Sequence, residues 1–228
     1  MSSRFGEGSD LWLARAPKAK PGQEGGKRAE NRRKRINELC EAGLLLFLER
    51  GVEGVIVEDI TRKAGVAKGS FYRYLKDKRE LVNLVVKPVG QPVLDAMEQC
   101  AALLEEAENN DDLVAAYTSL GMQLTQVMLP YLDVVLLYLQ EYRSPSVPAR
   151  EPIRELADAI ASKAIELTEV ARRHELLRPF PAKVSALAVV GAIERLTFAF
   201  LTGDPPEEPE VMAQSLISMV MDGLRPSS

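Results

Sequence analysis

The chain is poor in the residues on which much protein chemistry depends. It has one histidine, His174, and two cysteines, Cys40 and Cys100. A zinc site draws on clustered His, Cys and carboxylates at short spacings, and no second His or Cys stands at such a spacing here. No Gly-rich phosphate loop is present either. These gaps point away from an enzyme and give no reason to expect a metal or another cofactor. Two lone cysteines inside helical patterns read as buried thiols of a reducing compartment, not as a disulfide framework. Aromatic residues make up only 6% of the chain. Long apolar runs are also missing. The strongest, Leu129 to Leu139, is interrupted by Pro130 and Asp133, and no run nears the roughly 20 residues a membrane span needs. At the N-terminus, Leu11-Trp12-Leu13 is too short for a signal sequence. A cytoplasmic protein with no membrane partner is expected.

The 228 residues are 46% hydrophobic, which suffices for a sizeable core. Ala, Leu, Glu and Val dominate and favour helices, and no segment shows convincing strand alternation. The net charge of −4 hides a division. Residues 1–80 carry 18 Lys and Arg against 12 Asp and Glu, a balance of +6; residues 81–228 balance at −10. A basic first third on an acidic body suggests one region that binds a polyanion and one with another task.

Residues 1–28 read as a basic tail, rich in Gly, Pro, Lys and Arg and without periodicity. A helix is predicted from about Asn31 to Arg50, stopped by Gly51. Its first turns carry Arg32-Arg33-Lys34-Arg35. Cations at a helix start oppose the macrodipole, so this cluster suits contact with phosphate better than it suits the helix. Two short helices follow, about 57–64 and 68–75, joined by Gly65-Val66. A long helix over about 78–108 contains Pro88, Gly90 and Pro92, where a kink or break is expected. Asn109-Asn110-Asp111-Asp112 reads as an N-cap cluster. Further helices are predicted to about 129, 130–142, 151–175, 182–201 and 207–224.

The chemistry lies in residues 51–81, GVEGVIVEDITRKAGVAKGSFYRYLKDKREL. Two short helices around a Gly turn make a helix-turn-helix, whose second helix enters the major groove. That helix offers Lys68, Ser70, Tyr72, Arg73 and Tyr74 around an apolar pair, Phe71 and Leu75, at i,i+4 spacing. Arg73 has the chemistry to read a guanine bidentately.

The stretch resembles the DNA-binding domain of the TetR family. Leu39, Phe47, Gly51, Val57, Asp59 and Ile60 fall on the family pattern. So do Ala64-Gly65-Val66, Lys68-Gly69-Ser70-Phe71-Tyr72-Arg73-Tyr74, Lys78 and Leu81. Ile56 and Ala67 replace the usual capping Thr and Ser, Gly43 and Thr61 the usual Ala, and Leu75 the usual Phe. The resemblance implies an all-α protein: an N-terminal three-helix domain with a helix-turn-helix at 29–80, then a helical bundle at 81–228 for ligand binding and dimerisation. It implies phosphate or base contacts from Lys68, Ser70, Tyr72 and Tyr74, and a phosphate contact from Lys78. Arg32 and Arg33 would add phosphate contacts from the basic run.

The implied function is a homodimeric repressor on double-stranded DNA, released from a near-palindromic operator by a small hydrophobic effector. The alternative is a ligand-independent DNA-binding adaptor working through protein partners. Candidates for the ligand site in the middle helices are Met122, Gln126, Tyr138, Tyr142, His174 and Phe198. The dimer face would use the small and apolar stripe of the last two helices, including Val184, Leu187, Gly191, Val211, Ile217 and Met219.

Overall fold

The computed structural model describes residues 26–177 and 180–224, and every regular element among them is helical. The predicted basic tail lies outside the described residues up to residue 25. In chain order the helices are α1 (Gly26–Arg50), α2 (Val57–Lys63), α3 (Lys68–Tyr74), α4 (Lys78–Glu105), α5 (Asn110–Met128), α6 (Leu132–Glu141), α7 (Glu151–Arg173), α8 (Ala182–Thr202) and α9 (Pro209–Leu224). Single 3-10 turns at Leu129–Tyr131 and Pro148–Arg150 lead into α6 and α7.

Local chemistry sets most of the boundaries. Gly51 ends α1 at φ +73°, with its N–H donating to the Phe47 carbonyl at 2.8 Å. Gly65 turns the chain between α2 and α3 at φ +65°, and Gly203 ends α8 at φ +81°. A residue with a Cβ is strained in that region, so each is a glycine position. Asn109 caps α5 by accepting from the N–H groups of Asp111 and Asp112. Asp112 Oδ2 in turn accepts from the side-chain amide of Asn109 at 2.8 Å and from the N–H of Glu108 at 3.0 Å. As the sequence suggests, Ile56 and Ala67 start α2 and α3 with no side-chain cap.

Pro88 and Pro92 do not break α4, which runs as one helix from Lys78 to Glu105. Gly90, between them, allows a close approach: a Cβ there would stand 3.0 Å and 3.1 Å from the two Cδ atoms of Leu156 on α7.

The chain divides into two compact units. The first comprises residues up to Pro88 together with Gln140–Arg154; the second comprises Val89–Leu139 and the residues from Glu155 onward. The first therefore takes in the start of α4 and the connection between α6 and α7. Leu39, Phe47, Val52, Val55, Ile60, Phe71 and Leu81 are wholly buried in it. The second is cored by Leu104, Leu113 and Leu137, with Cys100 and Ala171 also buried. Both thiols are enclosed, and burial pushes their pKa values up, to about 12 for Cys40 and about 11 for Cys100.

The C-terminal helices are more apolar than uninterrupted runs suggested. By length and composition alone, 110–141 and α8 are long and apolar enough to cross a membrane, their most apolar 18-residue stretches having mean hydropathies of 1.4 and 1.7. Unbroken runs do not reveal this, because polar residues interrupt both segments; a helix packed inside a protein passes the same test of length and composition. The 3-10 turn at Leu129–Tyr131 divides the first segment, while α8 carries Glu194 and Arg195 in its interior.

Candidate nucleic-acid interface

Phe71 fixes the recognition helix. It is wholly buried, and it meets the ring of Tyr72 edge-on at a centroid distance of 5.3 Å. Since α3 has only seven residues, burying one side decides what the other side presents. Tyr72 is 56% exposed, and Lys68 and Arg73 are exposed as well, whereas Ser70 and Tyr74 are half-buried. The turn before α3 is held by backbone bonds, with the N–H of Val66 donating to the Thr61 carbonyl at 2.9 Å. Thr61, in place of the usual Ala, is buried, and its hydroxyl donates to the Glu58 carbonyl at 3.1 Å.

The basic end of α1 lies beside this helix. Arg32 is exposed, and its guanidinium donates to the Tyr74 carbonyl at 3.4 Å. Arg33 is half-buried. Arg35 joins Gly65, Val66, Ala67, Ser70 and Tyr74 around a concavity of about 200 Å³. Arg32, Ser70, Tyr72, Arg73 and Tyr74, expected from sequence to share one surface, are thus brought onto or beside α3. Arg35 lies there too, although in sequence it stood out only as one of a run of cations. It also pairs with Glu38 at 2.7 Å.

Two further cations also have protein partners. Lys68 forms an ion pair with Glu58 on α2. That hydrogen bond holds the Glu58 carboxyl below its ordinary range and raises the Lys68 ammonium above its own. Lys78, expected at a DNA phosphate, turns to the protein instead. Its ammonium donates to the carbonyls of Val52 at 2.7 Å, Val55 at 2.6 Å and Glu53 at 3.5 Å. An ammonium has three protons, and all three go to the turn between α1 and α2. Nothing local in sequence marks either pairing, because the partners lie 10 and 23–26 residues away.

The six ligand-site candidates are spread over α5, α6, α8 and the segments that follow α6 and α7. Tyr142 groups with the first unit and the other five with the second. Met122 is 58% exposed, and Gln126, one turn on, is exposed too. His174 pairs with Glu105 at 3.2 Å, and Arg173 joins the same carboxylate at 2.6 Å. Tyr138 and Phe198 are half-buried, and the Tyr138 hydroxyl donates to Glu194, one turn before Phe198 on α8, at 2.9 Å. A concavity of about 380 Å³ on α7, between Glu166, Glu169, Arg172 and Arg173, involves none of the six.

Comparison with known proteins fits this geometry. Residues 39–85 match the family model described as bacterial regulatory proteins, tetR family. The chain carries the DNA-binding domain of the TetR family. Over 69 residues the chain is 52% identical to the HTH-type transcriptional repressor DhaR of Mycobacterium sp. (strain GP1). That match covers 30% of this chain and a third (33%) of DhaR's own length. The HTH-type transcriptional repressor BepR of Brucella suis biovar 1 (strain 1330) is 24% identical over 79% of this chain and 87% of its own. Beyond the TetR-type domain the fold persists. NalD of Pseudomonas aeruginosa, the secondary repressor of the MexAB-OprM multidrug efflux pump, superimposes with a TM-score of 0.67. It does so at 23% identity over 87% of this chain and all of its own.

Proposed function

We propose that the chain is a homodimeric transcriptional repressor that binds a near-palindromic operator and is released from it by a small hydrophobic effector. The surface of α3 carries this reading: Tyr72 and Arg73 stand exposed because Phe71 is buried behind them. A helix presented in this way can enter a major groove, with Arg32 and Arg33 placed to meet phosphate. Phosphate contacts supply affinity, and base contacts from Arg73 supply discrimination.

Support for the dimer comes from α8 and α9. Although the most apolar 18-residue stretch of α8 has a mean hydropathy of 1.7, only 11% of it is buried within one chain. Val184 is 64% exposed and Met219 66%, and Leu187, Phe200, Val211 and Ile217 are exposed as well. An apolar face of this kind is covered by a partner, and a second copy would place two recognition helices at the half-sites of a palindrome.

Selection of genomic fragments by the purified protein at moderate salt tests the reading. A recovered near-palindrome bound by two chains is the expected result. Salt-sensitive bulk binding with no enriched sequence would refute it. The alternative is a ligand-independent DNA-binding adaptor acting through protein partners. Calorimetric titration with hydrophobic compounds separates the two, since an adaptor binds none and stays on its operator.

A further inference from the structure

The turn between α1 and α2 is pinned from outside the helix-turn-helix. Val52 is wholly buried, and its N–H falls just past the end of α1. A buried N–H without an acceptor is costly, and no side chain within the turn supplies one. The acceptor comes from 89 residues away: Glu141 Oε1 takes this proton at 3.0 Å. Glu141 is only 5% exposed, and its other oxygen accepts from Nε of Arg150, itself only 4% exposed. The Arg150 guanidinium in turn donates to the Pro145 carbonyl, which folds the connection around the ion pair. The same turn is gripped from another side by Lys78, through the Val52 and Val55 carbonyls. Gly51 leaves room for the carboxylate, since a Cβ there would lie 3.1 Å from Glu141 Oε1.

Stability alone is a poor reason for such a pair. Buried ion pairs are often replaced by apolar side chains without loss, because desolvation offsets their attraction. What apolar side chains cannot supply is an acceptor aimed at Val52. The start of α2 depends on that turn, because Ile56 gives it no side-chain cap.

We propose that Glu141 is a positioning residue for DNA binding: its carboxylate, neutralised by Arg150, holds the Val52 N–H and sets the turn from which the helix-turn-helix begins. The connection between α6 and α7 is then a working part of the DNA-binding unit. The inference rests on the reading of the chain as a DNA-binding repressor.

Two double variants of the full chain isolate the acceptor. Glu141→Gln with Arg150→Met removes both charges but keeps a carbonyl oxygen facing Val52. Glu141→Met with Arg150→Met removes the acceptor as well. Neither leaves a lone buried charge, so both are expected to fold. Operator affinity is read by fluorescence anisotropy across a salt series on the selected palindrome, and amide exchange is followed at residues 51–56. The Met/Met variant should bind at least tenfold more weakly than the Gln/Met variant, with an unchanged salt slope because no phosphate contact is lost. Its Val52 amide should exchange faster, while α1 and α4 stay protected. Equal operator affinity in the two variants would overturn the proposal, as would equal protection at Val52. If no operator can be selected, the DNA-binding reading fails on its own account, and exchange at Val52 still decides whether Glu141 sets the turn.

Discussion

Replacing Lys78 with Met separates two roles that the sequence does not distinguish. If Lys78 serves DNA, its loss weakens operator binding and leaves the fold alone. If it serves the turn, as its geometry shows, the fold carries the loss. The ammonium donates to Val52 and Val55, both wholly buried, at 2.7 Å and 2.6 Å. Met keeps the aliphatic stem but leaves these two carbonyls unpaired. An unsatisfied buried acceptor costs about 1–3 kcal/mol. Partial solvation of the half-buried site lowers the total, and Lys78 itself gives up a desolvation penalty that already pushes its pKa below 10.5. A net loss of about 2–4 kcal/mol follows. For a chain of this size that lowers the melting temperature by roughly 5–15 °C. Urea unfolding followed by circular dichroism measures the loss, and operator titration over a salt series measures any phosphate contact. A variant within about 0.5 kcal/mol of the parent, with a salt slope reduced by about 0.9, would show that Lys78 neutralises a phosphate and would refute the argument.

Gly54→Ala should destabilise the first unit by about 2 kcal/mol or more, because a Cβ there would lie 2.5 Å from the Arg50 carbonyl oxygen and the backbone must move; an unchanged thermal melt would contradict this. Ala67→Ser should stabilise by about 0.5–1 kcal/mol, since Ala67 already has the extended φ and ψ of an N-cap and lacks only the oxygen. Urea midpoints test the change, and a loss of stability would mean that the hydroxyl finds no N–H. Glu105→Gln should flatten the acid limb of the stability curve. The hydrogen bond from His174, and then the charge of Arg173, hold the folded pKa of Glu105 below its ordinary 4.5. The contribution is therefore fully present above 4.5 and is lost as pH falls through the lower folded value. Because the carboxyl is exposed, the effect should be small and should fade in high salt; an unaltered acid limb at low salt would refute it.

The fold was legible wherever chemistry is local. Gly51, Gly65 and Asn109 mark their boundaries through backbone conformation and capping, which depend on a few neighbouring residues. The buried pair Phe71 and Leu75 follows from helical spacing, and the exposed face of α3 follows from the pair. What sequence could not give is whatever a distant residue decides. Lys78 looks like any cation at the start of a helix until the turn 23–26 residues before it comes within reach. Glu141 and Arg150 sit in a stretch that reads as a helix end and a proline-rich loop, with no periodicity to mark them as buried. Pro88 and Pro92 read as a kink or a break, and of the two a break is excluded, since α4 continues through them. The six ligand candidates were chosen as polar or aromatic positions on apolar helices. That pattern cannot say which of them face one another.

The two cysteines divide between the two units, Cys40 in one and Cys100 in the other. With burial pushing their pKa values up, to about 12 for Cys40 and about 11 for Cys100, both thiols stay almost wholly protonated near neutral pH and react slowly while enclosed. Alkylation must therefore wait for each thiol to reach solvent, and its rate becomes a clock for local opening. The native sequence thus has one such clock in each unit. Labelling in the presence and absence of DNA, resolved by peptide mass, would show which unit opens first and which of them an operator holds shut.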